Sequence, residues 1–215
     1  MATDLDDEAL RQVQVAVLAK APVAGLAKTR LIPALGAARA ARLQRRLTRM
    51  TVQTALDAGL GAVTLWCAPD ARHRFFRALA RTARLPCVVQ PRGDLGERMH
   101  VAFRVHCPAG PLLLVGTDCP ALRPDHLRRA ARALVEGDDA VFHPAEDGGY
   151  VLVGLRRPQA ELFSAMPWST ALVTPQTRAR AHALGLRVRE LETLWDVDTP
   201  ADLKRLAALD AGAGA

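Results

Sequence analysis

Lys20 and Lys28 share one loop, Ala19-Lys-Ala-Pro-Val-Ala-Gly-Leu-Ala-Lys-Thr-Arg-Leu31, and are two of only three lysines in a chain that carries 26 arginines. Lysine offers a compact, rotatable charge and arginine a fixed planar fork, so a chain that defaults to arginine and keeps lysine here points to a phosphate site. The loop leaves an apolar run and enters a long helical pattern, a place where backbone N–H groups and the helix dipole favour anions. It is not a Walker A motif: Ala27 precedes Lys28, and Pro22 stands where the first glycine belongs. The dinucleotide fingerprint G-x-G-x-x-G is absent as well. The alternative reading of this loop is a Gly/Pro surface turn with solvated lysines.

Carboxylates follow at three places. The run Leu112-Leu-Leu-Val-Gly-Thr-Asp-Cys-Pro120 delivers Asp118 to a strand end, where it either holds a hard cation such as Mg²⁺ or organises the turn before Pro120. Trp195-Asp-Val-Asp-Thr-Pro-Ala-Asp-Leu203 reads as a helix start, with Thr199 as N-cap and Pro200 at the first helical position. That leaves Asp196 and Asp198 unexplained; in an extended segment they are expected to point to opposite faces, and if the segment kinks they converge on one ion, where with Asp118 they clamp a metal and a phosphate. In Pro144-Ala-Glu-Asp-Gly-Gly-Tyr150, the pair Gly148-Gly149 either lets backbone approach a ligand or makes a tight turn between strands. Gln90-Pro-Arg-Gly-Asp-Leu-Gly-Glu-Arg-Met99 is a glycine-rich helix entry bearing Asp94 and Arg98, which capping explains equally well. Trp168, in the loop Pro167-Trp-Ser-Thr170, stacks on a ligand ring or packs in the core.

The elements that must position these residues alternate. Strands are expected at 13–19, 62–67, 87–90, 111–116, 140–143, 150–155 and 186–190; helices at 36–58, 70–83, 94–106, 124–136, 174–184 and 199–209. Apolar strands with helices between them imply a three-layer, Rossmann-like α/β fold with a mostly parallel central sheet. In such sheets ligands sit outside the carboxyl ends of the strands, and every motif above falls at such an end. One domain over residues 13–209 is expected, preceded by a disordered lead (1–12) and followed by a flexible tail (210–215).

Composition narrows the classes. With 215 residues and 50% hydrophobic content the chain can bury a sizeable core. A net charge of +7 and a pI near 10.0 raise the possibility of a polyanion binder. Against it, Arg42, Arg45 and Arg49 fall opposite the stripe Leu43, Leu47, Met50 and Thr54, as on a solvated helix face, and with a single tyrosine there is no stacking platform for nucleic acid. Cys67, Cys87, Cys107 and Cys119 are scattered and read as free thiols in a cytoplasmic protein. The six histidines lack metal-ligand spacing and read as mostly surface residues. Neither a signal peptide nor a membrane span is visible.

Six motifs occur in order: Lys20 to Leu31, Gly93 to Met99, Gly116 to Pro120, Asp147 to Tyr150, Pro167 to Thr170, and Asp196 to Pro200. Over residues 13–206 this resembles the DUF2064 family, also labelled "transferase 1" or glycosyltransferase, within the GT-A (nucleotide-diphospho-sugar transferase) superfamily. It is also similar to the phospholactate and phosphoenolpyruvate guanylyltransferases of coenzyme F420 synthesis, which share a Lys-Thr-Arg-Leu loop, and to molybdenum-cofactor nucleotidyltransferases. The resemblance implies a GT-A fold and a glycosyl- or nucleotidyltransferase that uses Mg²⁺ (or Mn²⁺), a nucleoside triphosphate or nucleoside-diphosphate sugar, and a small-molecule acceptor. It implies Lys28 and Asp118 as catalytic residues; Lys20, Gly25, Lys28, Arg30, Asp94 and Arg98 around the nucleotide and its phosphates; and Asp147, Gly148, Gly149, Tyr150 and Trp168 around the acceptor. Asp118, Asp196 and Asp198 are the implied metal ligands. The chain departs from the guanylyltransferases at Asp147-Gly-Gly-Tyr150 and has no plain D-x-D after the central strand. A monomer or homodimer acting without nucleic acid or membrane is expected, and a non-catalytic nucleotide-binding or regulatory protein of the same fold is the alternative.

Overall fold

The computed structural model describes residues 7–212. Its centre is a seven-stranded sheet: β1 (Gln14–Lys20), β2 (Val63–Ala68), β3 (Cys87–Val89), β4 (Leu112–Val115), β5 (Ala140–Pro144), β6 (Tyr150–Leu155) and β7 (Val188–Glu190), in the order β3-β2-β1-β4-β6-β5-β7. β1 pairs in parallel with β2 and β4, with Val15 opposite Val63 and Gln14 opposite Leu112. β6 alone runs against its neighbours, antiparallel to both β4 and β5, and β7 pairs in parallel with β5. Each expected strand is present, and the sheet is the mostly parallel, Rossmann-like one the sequence implies.

Alternation along the strands builds the two covering layers. Val15 and Val17 face one cluster, with Val52, Phe75, Phe76, Leu127 and Leu134 from the helices Ala37–Asp57, Arg74–Ala83 and Pro124–Val135. Ala16 faces the other, with Trp66, Met99, Phe103 and Phe163, beneath the helices Leu95–His106 and Val173–Ala183. Strands buried on both faces are why they read as unbroken apolar runs. A smaller third cluster, Leu31, Leu47, Val197 and Leu206, fastens the last helix, Pro200–Gly212, onto the long first one.

The ends differ from expectation. Residues 1–6 of the expected lead and 213–215 of the expected tail lie outside the described residues. Residues 7–10 form a helical turn with Leu10 buried in the core and Asp7 paired with Arg128, because Leu10 closes the apolar floor at the start of β1. Residues 210–212 continue the last helix, where Asp210 pairs with Arg46. The histidines also differ. His143 is buried in β5, its Nδ1–H donating to the Glu192 carbonyl at 2.8 Å, and its ring packs at 5.2 Å against that of half-buried His126. His106 is half-buried between Gln14 and the Trp66 indole. Burial lowers the pKa of all three, holding them neutral. All four cysteines are free.

Candidate functional site

The strand order reverses direction of travel at β1, which has β2 on one side and β4 on the other. Outside the carboxyl ends of these strands opens a cleft of about 980 Å³, large enough for a nucleotide. Lys20, Lys28 and Arg30 enter it from the β1 loop, Arg98 from the helix after β3, Asp118 from the β4 loop and Asp198 from the segment before the last helix.

Lys28 is the centre of the charge arrangement. Its backbone is left-handed (φ 48°), a conformation that costs a non-glycine residue, and it precedes the 3₁₀ turn Thr29–Leu31. That geometry turns the side chain inward, leaving it 4% exposed. The ammonium donates to the Val197 carbonyl at 2.6 Å, meets Asp118 Oδ1 at 2.8 Å and donates to Asp198 Oδ1 at 3.1 Å. Arg30 reaches the other Asp198 oxygen at 3.3 Å from the exposed side. Lys28 therefore joins the β1 and β4 loops to the segment before the last helix, with its charge spent on two carboxylates. Lys20 stands exposed at the mouth of β1, and its side chain makes no hydrogen bond or ion pair among the described residues.

Asp196 and Asp198 come together without a kink. Val197 is buried in the third cluster, and its N–H donates to the Asp118 carbonyl at 2.9 Å, so alternation turns the flanking aspartates to the opposite side. Thr199 does not cap by accepting; its N–H and hydroxyl both donate to Asp202, at 2.6 and 2.8 Å. The carboxylates that gather within 4.8 Å of one another are Asp147, Asp196 and Asp198. Asp147, expected beside an acceptor, joins Asp196 and Asp198 in this group, while Asp118 pairs with Lys28 as Asp198 also does. Three oxygen donors suit a hard divalent cation. Burial, then the charges of Asp147, Asp198 and Asp118, push the Asp196 carboxyl up to about 6, with Lys28 pulling the other way.

Asp147 is delivered by a hairpin. Ala145 donates to Gly149 and Gly148 back to Ala145, closing the β5–β6 turn, and Asp147 Oδ1 accepts from the Gly149 N–H at 2.9 Å. Gly148 has φ +89°, and a Cβ there would lie 2.4 Å from the Ala171 Cα, so this glycine serves turn and packing together. Arg205 from the last helix fixes the hairpin: its guanidinium meets both Glu146 oxygens, at 2.6 and 2.8 Å, while lying 4.5 Å over the Trp195 ring. Glu146 and Trp195 are the chain neighbours of Asp147 and Asp196, so one arginine bridges the two segments that carry the acidic trio.

The remaining expected site residues divide. Asp94 is used structurally, in a reciprocal capping box with Glu97 (2.8 Å each way). Gly25 (φ +85°) shapes the β1 loop turn. Arg98 lines the cleft while its Nε donates to the Gly93 carbonyl at 3.0 Å. Tyr150 lines the cleft floor, with its ring edge-on to Trp168 at 6.3 Å. Trp168 packs over Gly96, where a Cβ would come within 2.8 Å of the indole.

Two glutamines were not singled out from the sequence. Gln44, buried on the first helix, donates to Thr117 Oγ1 at 3.0 Å and Thr48 Oγ1 at 3.3 Å beneath Asp118. The helical spacing of Gln44, Thr48 and Thr51 was the available signal, a polar stripe beside the apolar one. Gln90, just beyond β3, lies in the cleft with its Nε2 on the carbonyls of Trp66 (2.9 Å) and Ala19 (3.3 Å). A lone glutamine after a short strand gives no such signal.

Known proteins share this frame. A phosphoenolpyruvate guanylyltransferase of Thermomonospora curvata is 32% identical over 139 residues, 63% of this chain; the chain covers 50% of that relative's length. A provisionally assigned nucleotide-diphospho-sugar transferase of Desulfovibrio desulfuricans G20 superposes with a TM-score of 0.80 at 26% identity, over 87% of this chain and 83% of that one. Glucosyl-3-phosphoglycerate synthase of Mycobacterium tuberculosis, solved with Mn²⁺, UDP and glucosyl-3-phosphoglycerate, superposes with a TM-score of 0.57 at 12% identity, over 94% and 78%, a likeness of fold. Residues 51–170 match the sequence model of a family described as uncharacterized proteins conserved in bacteria, a stretch that carries Asp118, Asp147 to Tyr150 and Trp168. With more than half its length in that match, the chain belongs to the DUF2064 family.

Proposed function

We propose that this chain is a nucleotide-dependent transferase, moving a nucleotidyl or glycosyl group from a nucleoside triphosphate or nucleoside-diphosphate sugar to a small-molecule acceptor. One observation carries the reading: a nucleotide-sized cleft at the switch point of the sheet, into which lysine, arginine and aspartate side chains converge from loops far apart in sequence. The likeness to a guanylyltransferase and to a nucleotide-diphospho-sugar transferase supports it.

In this reading Lys20, Arg30 and Arg98 receive the phosphates, contributing charge in a cleft where water is partly excluded. Asp147, Asp196 and Asp198 hold Mg²⁺ or Mn²⁺. A divalent ion there supplies neutralisation of charge on the phosphate oxygens and the departing group. Lys28 holds Asp118 and Asp198 in register, and Tyr150 and Trp168 border the acceptor. With a triphosphate, an acceptor oxygen bonds to the α-phosphorus and pyrophosphate departs. With a nucleotide sugar, the acceptor bonds to the anomeric carbon and the nucleoside diphosphate departs.

Thermal-shift titration with nucleoside triphosphates and nucleoside-diphosphate sugars, with and without Mg²⁺, tests the reading. Stabilisation by a nucleotide is expected, and no response to any of them would remove it. Assaying pyrophosphate against nucleoside diphosphate release then separates the two reactions.

A further inference from the structure

The cleft extends past β1 toward β2 and β3, where Leu18, Pro69 and Pro91 line it together with Gln90 and the basic Arg92. Gln90 is pinned at three points. Its N–H donates to the Cys67 carbonyl at 2.9 Å, and its side-chain nitrogen spends its hydrogens on the Trp66 and Ala19 carbonyls at 2.9 and 3.3 Å. A carboxamide oxygen in that place would face two other acceptors, so the amide has one orientation. The Oε1 atom is left without a partner among the described residues, in the cleft wall, as a fixed acceptor with two lone pairs.

From this we infer that Gln90 is the residue that selects the nucleobase, and that the base it selects is guanine; the inference rests on the nucleotide reading above. Asp118 follows β4, which neighbours β1, and the Gln90 amide lies over β1 and β2. The two are thus one to two strand spacings apart, about 5–10 Å, the span of a ribose between a base and its phosphates. The apolar side chains suit the faces of a flat ring. An acceptor that brings no donor with it matches an edge presenting adjacent donors, and among the four common bases guanine alone does so, with N1–H beside the 2-amino group. Adenine and cytosine place a ring-nitrogen acceptor next to the amine, and uracil flanks its one N–H with two carbonyls, so each gives Oε1 one hydrogen bond where guanine gives two.

Isothermal titration of the full chain with GTP, ATP, CTP and UTP in Mg²⁺ tests this. GTP is expected to bind at least about tenfold tighter than the others. Gln90→Met, equal in length and without the acceptor, is expected to bring GTP down to the level of the other three. Binding of nucleotides with no preference for guanine, or a Gln90→Met variant that loses all four equally, overturns the inference while leaving the transferase reading in place. Failure of all four, and of nucleotide sugars, on the wild type overturns that reading instead. Should Gln90→Met not fold, discrimination by the wild type among GTP, ITP (which lacks the 2-amino group) and ATP decides, with equal binding of GTP and ITP against the inference.

Discussion

Replacing Lys28 by methionine removes one charge from a place where it meets two carboxylates, at 2.8 and 3.1 Å, and keeps most of the side-chain volume. A unit pair at such distances is worth about 4 kcal/mol or more at an effective dielectric constant of 20, before either ion is desolvated. Stripping a partner from a fully buried pair costs about 3–5 kcal/mol, whereas exposed pairs contribute about 0–1. Lys28 is 4% exposed, but Asp118 and Asp198 are 44% and 34% exposed, which discounts the loss to about 2 kcal/mol. For a chain of this size that lowers the thermal midpoint by about 4–8 °C. Asp118, Asp147, Asp196 and Asp198 would then stand together without their shared cation, so Mg²⁺ is expected to raise the midpoint of Lys28→Met more than that of the wild type. A double-mutant cycle by calorimetry with Asp198→Asn checks the origin of the effect, the double variant losing less than the sum of the singles. Strict additivity, or a Lys28→Met midpoint equal to the wild type, would refute the coupling of Lys28 to these carboxylates.

Three further outcomes follow from the same geometry. Asp196, pushed up to about 6, favours its neutral form in the fold, so the cost of ionising it is absent below about pH 4 and complete above about 6. Metal binding needs the carboxylate, so Mg²⁺ affinity measured by titration calorimetry at pH 5 is expected to be about tenfold weaker than at pH 7.5; equal affinities would count against Asp196 as a ligand. Arg205→Ala frees the Glu146 hairpin from Trp195, and a several-fold loss of Mg²⁺ affinity with little change in thermal midpoint is expected from a clamp that bridges the two segments carrying the acidic trio; unchanged Mg²⁺ affinity would leave Arg205 a surface ion pair only. Gly148→Ala combines a left-handed backbone with a Cβ 2.4 Å from Ala171, and a loss of about 2–4 kcal/mol in denaturant unfolding is expected. A loss below about 0.5 kcal/mol would mean that the hairpin relaxes freely.

What the sequence made legible depended on range. Strands such as 112–115 and 150–155 are apolar because both faces are covered, and that pattern is local, so the elements and their three-layer arrangement could be read directly. Sheet order was not local: nothing in the run 150–155 says that β6 inserts between β4 and β5 and reverses direction. The site divides along the same line. That Lys28 and Asp118 lie beyond strand ends follows from their position after apolar runs, whereas Asp196 and Asp198 lie in the segment before the last helix, and Lys28 meets Asp118 and Asp198 there. Which of them neutralises which does not follow, because it rests on a left-handed Lys28 backbone and on a buried Val197, neither of which has a residue type that announces it.

The place of Asp147 beside Asp196 and Asp198 shows what that gap means chemically. Clustered carboxylates and ion-paired carboxylates are the same residue type, and Asp198 is both, pairing with Lys28 while gathering with Asp147 and Asp196. Here the lysine lies between Asp118 and Asp198, so Asp198 faces both ways, toward Lys28 through Oδ1 and toward the trio with Asp147 and Asp196. A cation drawn to the trio competes with Lys28 for Asp198. Weakening that bond leaves Lys28 on Asp118 and the Val197 carbonyl, with one fewer carboxylate on its charge. In the proposed function, a divalent ion at the trio and an anionic ligand in the cleft would redistribute the charge around this lysine and so couple the two binding events through Asp198.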